Sequence, residues 1–327
     1  MNTSPTRRRL VAAGMATAVL GPLGPLGRAQ AQAYPSRPIT LIVPWPAGGA
    51  SDRHVRAIAE LASVHLGQPI VIENKPGAGG TLGVVQMAAA RPDGYTLAQY
   101  PLGMLRYPHM QKTNWHPIND FSFIAGLSGY TFGVVVRADS PYQTLKDYLE
   151  AARRQPGQLD YGSAGQGTSP HLLMEELAIA AQVQLTHVPF KGSAELHSAL
   201  LGGHVMAASD ATSWDKLVDA GKVRLLVTFG DERTRRWPQV PTARQLGYPV
   251  VSTSPYGVAG PKGMDPAVIT RLQDAFRRAV EDPRNLALME QLNQAAWFRT
   301  SEQYREWAIE TYQKDKQLIE RLGLAAK

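Results

Sequence analysis

An α/β fold with mostly parallel strands is predicted by three features of the sequence. From residue 34 onward short β-rich runs alternate with helix-periodic ones, the pattern of successive βαβ units. Twice, at 43–52 and at 161–172, a strand passes through a glycine-rich turn straight into a helix. The length of 327 residues, with 44% hydrophobic and 19% charged residues, supports a large core in about two domains and excludes a disordered chain.

The elements follow in order. The run 39–43 is the first strand, and Val55, Ile58, Ala59, Ala62 and Leu66 form the apolar stripe of a helix that Gly67 ends. A second strand at 70–73 leads to a glycine-rich loop, 74–83, and a helix to 90. Arg91-Pro92-Asp93-Gly94 turns the chain into a third strand at 95–99. The stretch 101–120 has no period and is expected to be irregular. A strand at 132–137 and a helix at 144–154 precede the strand 159–161, the turn 162–169 and a helix opened by Pro170, whose missing N–H is not needed there. Further strands are expected at 186–189, 205–208, 225–228 and 254–259. Helices are expected after Ser193, through Leu217, after Val240, at 268–280, at 285–292 and at 301–322. Thr300 and Gln303 are spaced as a capping box for the last.

The net charge of +7 does not indicate a nucleic-acid partner. Arg7, Arg8, Arg9 and Arg28 lie in the acid-free first 33 residues; without them 30 basic residues face 27 acidic ones, or +3. Those 33 residues read as an export signal: a basic start, an apolar stretch at 10–26, and overlapping A-x-A cleavage sites near Ala31 and Ala33. Thr6-Arg7-Arg8-Arg9-Leu10 also resembles a twin-arginine signal. The composition includes no cysteine, so no disulfide and no thiolate metal site can form. The expected location is the periplasm.

The candidate chemistry lies in the two glycine turns. The first N–H groups of a helix have no partner within it, and with the helix dipole they favour an anion. Gly48, Gly49, Ser51 and Asp52 are therefore candidates for half of a carboxylate site; the plain alternative is an ordinary turn with Ser51 or Asp52 as N-cap. Gly165, Gly167 and the hydroxyls of Ser163, Thr168 and Ser169 are candidates in the second turn. Dipoles alone cannot hold the ligand, because each supplies about 0.3–1 kcal/mol when exposed, whereas micromolar affinity needs about 8 kcal/mol. Charge-assisted hydrogen bonds of about 1.5–3 kcal/mol each are required as well. The loop 74–83 is expected to be structural, His171 a packing or surface residue rather than a ligand, and Lys191 a second-rank candidate. An enzyme is disfavoured: Ser163 sits in G-S-A-G with Tyr161 where a nucleophile elbow needs glycine, and the sequence has no P-loop, zinc-protease or EF-hand pattern.

Along the mature chain the sequence resembles the Bug-type, or tripartite tricarboxylate transporter, extracytoplasmic solute receptors. The resemblance rests on eight segments in family order: Y-P-S-R-P-I-T-L-I-V-P-W-P-A-G-G-A-S-D from Tyr34, E-N-K-P-G-A-G-G from Glu73, P-D-G-Y-T-L from Pro92, Y-G-S-A-G-Q-G-T-S-P-H-L from Tyr161, H-V-P-F-K-G-S from His187, L-L-G-G from Leu200, V-P-T-A-R-Q-L-G-Y-P from Val240 and G-P-K-G-M-D from Gly260. It implies a two-lobed periplasmic-binding-protein fold, type II-like, with the ligand cleft between lobes. Residues 34–136 with 255–327 form lobe 1, and 137–254 form lobe 2. It also implies that the two turns pinch one small carboxylate, with Trp45, Ala47 and Asp210 completing the ligand set. The partner is a membrane permease, the receptor is a monomer, and no cofactor or metal is called for. A signalling receptor for a membrane partner is the alternative, with a hydrolase on the same fold behind it.

The sequence departs from the family pattern at Trp45, where phenylalanine is usual, and at Met206, Ser209, Gln245 and Pro255. If an acid at 206 selects for an ammonium group, its absence favours a plain carboxylate. Selectivity is thus expected near Met206 and Pro255.

Overall fold

The computed structural model describes residues 34–294 and 296–326; the expected export signal lies outside the described residues. The chain begins β1 (Ile39–Val43), α1 (Ala50–Leu66), β2 (Ile70–Asn74), α2 (Leu82–Ala88), β3 (Thr96–Tyr100), α3 (Gly103–Met110) and β4 (Phe121–Ser128). It continues with β5 (Phe132–Arg137), α4 (Leu145–Arg154), β6 (Asp160–Ser163), α5 (Ser169–Ala181), β7 (Thr186–Pro189), α6 (Ser193–Leu201), β8 (Ala207–Ala211), α7 (Asp215–Asp219) and β9 (Val223–Thr228). It closes with β10 (Tyr256–Pro261), α8 (Pro266–Glu281), α9 (Pro283–Gln291), β11 (Ala296–Arg299) and α10 (Ser301–Arg321).

Two sheets organise these elements, one of six strands in the order β11-β4-β10-β3-β1-β2 and one of five in the order β7-β6-β8-β5-β9. Where a helix connects consecutive strands the pairing is parallel, as in β1 with β2 and β6 with β7. The expectation of mostly parallel strands needs correcting, however. β10 runs antiparallel to β3 and β4, and β5 antiparallel to β8 and β9. Both strands begin just after the chain has passed from one sheet to the other, so they enter from the opposite end. β5 pairs on both sides within the five-stranded sheet, which puts that passage before Phe132 and not at Arg137.

Local chemistry accounts for most helix bounds. α1 buries the predicted stripe of Val55, Ile58, Ala59, Ala62 and Leu66 and ends on Gly67 at φ 74°, the left-handed region that glycine enters without penalty. The Thr300–Gln303 capping box of α10 is present with both reciprocal bonds. Three elements escape the sequence patterns. α3 falls in the stretch expected to be irregular and carries Pro108, while β4 and β11 have no predicted counterpart. β4 is buried along nearly its whole length, so it lacks the alternation that marks a half-exposed strand.

The first sheet is covered on both faces. Ile124 and Leu127 of β4 join Leu272, Ala275 and Phe276 of α8 in one cluster, and Phe121 and Phe123 join Tyr304 and Ala308 of α10 in another. In the second sheet Val134 and Val136 of β5 face α4 and α5, and Val135 faces α6 and Trp214. Several polar contacts join elements around the first sheet to those around the second. Arg106 of α3 pairs with Asp315 of α10 at 2.9 Å and donates to Ser169 Oγ of α5 at 2.7 Å. Arg321 of α10 reaches Glu176 of α5 at 2.7 Å.

Arg106 and Asp315 are both buried, so removing one leaves an uncompensated charge. Arg106→Met is expected to destabilise the protein by about 3–5 kcal/mol in urea unfolding, and the double change Arg106→Met/Asp315→Leu to recover most of that loss. A double variant no more stable than the single one would show that the pair does not act as a unit.

Candidate functional site

β1 lies between β2 and β3, and β6 lies between β7 and β8. In each sheet the connections leave such a central strand toward opposite sides and open a crevice at its carboxyl end, the usual ligand position in open α/β sheets. The turns after β1 and β6 both contribute to one cavity of about 80 Å³. At about 10–15 Å³ of such volume per water, it has room for roughly five to eight water-sized groups.

Of the residues singled out in the sequence, Trp45, Ala47, Gly49, Ser51, Thr168, Ser169 and Asp210 line this cavity. Gly48, Asp52, Ser163, Gly165 and Gly167 stand behind it. Asp52 is buried and turned back on its own loop: it accepts from Gly48 N–H at 2.9 Å, from Asn74 Nδ2 at 2.8 Å and from Arg56 Nε at 2.9–3.0 Å. Burial would raise its pKa, but these donors outweigh that and hold it below the usual carboxylate range. Asp52 thus fixes the shape of the turn and uses up the Gly48 donor. Ser163 is 0% exposed and lies 2.8 Å from His187 Nε2, with its hydroxyl also reaching Gly165 O at 3.1 Å. Gly165 lines a neighbouring cleft with Lys191, and Gly167 N–H donates to His171 Nδ1 at 3.0 Å.

The helix starts around the cavity are open. α1 begins after Gly49 and α5 after Thr168, neither with a side-chain cap bond. α4, α8, α9 and α10, away from the cavity, are capped by Thr144, Asp265, Asp282 and Thr300. A third open start was not foreseen: α6 follows Gly192 without a cap, and Gly192, Ser193 and Ala194 line the cavity. Its sequence, one glycine after a strand, is too common to stand out beside the neighbouring charge of Lys191. Gly79 and the segment Pro101–Gly103 complete the wall unannounced; Gly79 approaches the second turn so closely that a Cβ would lie 3.1 Å from Gln166 O.

The polar lining is mostly preset. Gln99 Nε2 holds Ser51 Oγ at 2.7 Å and Tyr130 OH at 2.9 Å, and Tyr130 stacks on Tyr256 with ring centroids 4.6 Å apart. Burial first, and the nearby Asp210 charge second among the causes that raise it, push the Tyr130 hydroxyl well above its ordinary pKa, so it stays protonated. Ser169 Oγ accepts from Arg106 and donates to Ser254 Oγ at 2.8 Å. The indole Nε1 of Trp45 is buried with no hydrogen-bond partner among the described residues. Met206 is 43% exposed and Pro255 is not part of the wall, so the residues expected to select the ligand do not reach it. Met206 is displaced because its N–H is tied to Asp160 Oδ1 at the far end of β8.

The second turn rests on histidines. His171 and His187 stack at 4.0 Å between centroids. Desolvation, with His187 adding to it, lowers His171 to about 3, and desolvation lowers His187 to about 4. Behind the first turn His54 contacts the Tyr256 hydroxyl, and burial lowers it to about 4.

The match to a family model covers residues 54–324 and is described as tripartite tricarboxylate transporter family receptor. A protein of Cupriavidus necator, known as the UPF0065 protein in the gbd 5' region, is 46% identical over 98% of each chain. The structure of the periplasmic binding protein BugD superposes with a TM-score of 0.86 at 28% identity, covering 90% of this chain and 100% of that one. MatC of Rhodopseudomonas palustris with bound malate superposes with a TM-score of 0.81 at 28% identity, covering 88% and 100%. Among the described residues no helix is long and apolar enough to cross a membrane.

These histidines are neutral when folded and titrate near 6.5 when unfolded, so unfolding takes up protons below pH 6.5. Stability is full above about pH 6.5 and falls as the pH drops toward 4, by about 2 kcal/mol at pH 5 for His54 alone. The urea midpoint at pH 5 should therefore lie below that at pH 7.5, with a smaller difference in His171→Gln. Equal midpoints at the two pH values would refute the buried neutral histidines.

Proposed function

We propose that this chain, which belongs to the tripartite tricarboxylate transporter receptor family, captures a small carboxylate in the periplasm and delivers it to a membrane permease. The observation that carries this reading is the convergence of three uncapped helix starts, those of α1, α5 and α6, on one small cavity. Among the described residues no lysine, arginine or histidine lines it, so backbone N–H groups and helix dipoles are the charge complement available to an anion.

In this reading Gly49, Ala50 and Ser51 form one jaw and Thr168 and Ser169 the other, with Pro170, which has no N–H to give, as apolar wall and the α6 start beside them. Gly48, Asp52, Ser163, Gly165 and Gly167 act indirectly by holding the jaws in shape. The lobes follow the sheets: one carries β1–β4, β10 and β11, the other β5–β9. Closure then hinges where the chain crosses between them, near 129–131 and 252–255. The bound solute in MatC supports a carboxylate as cargo, and BugD supports a periplasmic setting. Receptor families of this kind bind rather than transform their solutes, which agrees with Ser163 being buried away from the cavity.

A thermal-unfolding screen of mono-, di- and tricarboxylates tests the proposal. An acid at about 100 times its Kd stabilises a protein by about 2.7 kcal/mol, roughly a 5 °C rise for a chain of this size. Gly165 sits at φ +128°, where an L side chain costs about 1–3 kcal/mol. Gly165→Val should therefore fold with a lower midpoint and lose the acid-induced rise. Carboxylate binding that persists unchanged in this variant would remove the second turn from the site.

A further inference from the structure

The cavity contains one feature that does not suit a simple anion. Asp210, near the end of β8, is buried at 2% exposure and lines the cavity. The alternation of β8 places Ala208 and Asp210 on the face covered by α6. Ser213 Oγ donates to Asp210 Oδ2 at 2.6 Å, and His197 Nε2 of α6 lies 3.2 Å from the same oxygen, off the direction of a hydrogen bond. Among the described residues Oδ1 makes no hydrogen bond. Oδ1 is not fully buried and so is open to the cavity that Asp210 lines; a carboxylate oxygen that loses water without gaining a donor is costly, so a cargo that fills the cavity has to supply one.

Two opposed chemistries therefore share a space of about 80 Å³. The helix starts offer donors to an anion, whereas Asp210 can only accept, and no cationic side chain in the wall stands between it and the cargo. A plain acid would bring a second negative charge next to Asp210 and leave Oδ1 unpaired, an unfavourable pairing in a closed site. An acid carrying an ammonium or hydroxyl substituent satisfies both demands at once. Neither Met206 nor Pro255 can supply this discrimination, since neither reaches the cavity.

We infer that Asp210 is the specificity-determining residue of the site and that the cargo is a small acid bearing a hydrogen-bond donor, an amino or hydroxy acid, which Asp210 Oδ1 reads. This inference rests on the carboxylate reading above. It reverses the preference for a plain carboxylate drawn from Met206, because the acid that faces the cargo is at 210.

Calorimetric titration with two matched series, propionate, lactate and alanine, and succinate, malate and aspartate, tests it. In at least one series a donor-bearing member should bind at least tenfold more tightly than the unsubstituted acid. Asp210→Asn keeps an oxygen for Ser213 and removes the charge; in it the ratio should fall to threefold or less. Plain acids that bind the wild-type protein as tightly as their substituted partners in both series overturn the role of Asp210 while leaving carboxylate capture intact, and so does a ratio unchanged in Asp210→Asn. If none of the six acids binds, carboxylate capture falls and this inference with it. Should Asp210→Asn fail to fold, the wild-type series decides alone.

Discussion

The starts of α1, α5 and α6, whose first N–H groups meet no N-cap side chain among the described residues, govern how the polar groups around them are arranged. A buried donor without a partner costs on the order of 1–3 kcal/mol, and a globular protein normally caps such groups with a side chain. Here the capped helices, α4, α8, α9 and α10, stand away from the cavity, and those that border it are left open. The fold concentrates that unmet demand in one place. It is a cost to the empty protein and a source of affinity for an anion.

Holding the open starts in position takes most of the polar core. Asp52, Asn74 and Arg56 lock the first turn, and Ser163, His187 and His171 lock the second. Gln99 and Tyr130 orient Ser51, and Arg106 and Ser254 orient Ser169. The side chains that chemists would first suspect of touching a ligand are thus largely a supporting layer, and the wall itself is backbone, small residues and aromatic rings. Preorganisation of this kind lowers the ordering cost of binding, and it ties affinity to the neutrality of buried histidines. Asp210 is the exception, an acceptor aimed into a space otherwise prepared for an anion.

The Arg106 bridge has a further consequence. One guanidinium joins α3, α10 and α5, so the element that presents Ser169 to the cavity is fastened to the helices that cover the first sheet. Stability of the core and geometry of the site are therefore not independent quantities in this protein.

The α/β class, the two strand–turn–helix devices, the capping box at Thr300 and the receptor family are legible in the residues alone, because each is written in residues close together along the chain. α1 and α10 were legible for the same reason: their apolar stripes and termini need no distant partner. β4, β5 in its proper sheet, and the direction of β10 were not, since a buried strand shows no alternation and pairing depends on where the chain re-enters a sheet. That Asp52 faces its own loop, that Ser163 stands behind the wall and that Met206 points away follow from packing alone. Packing also brings Gly192, Gly79 and Asp210 to the same 80 Å³. Burial and partner choice are properties of packing between distant segments, and local pattern does not encode which of two neighbouring polar residues meets the cavity and which supports it.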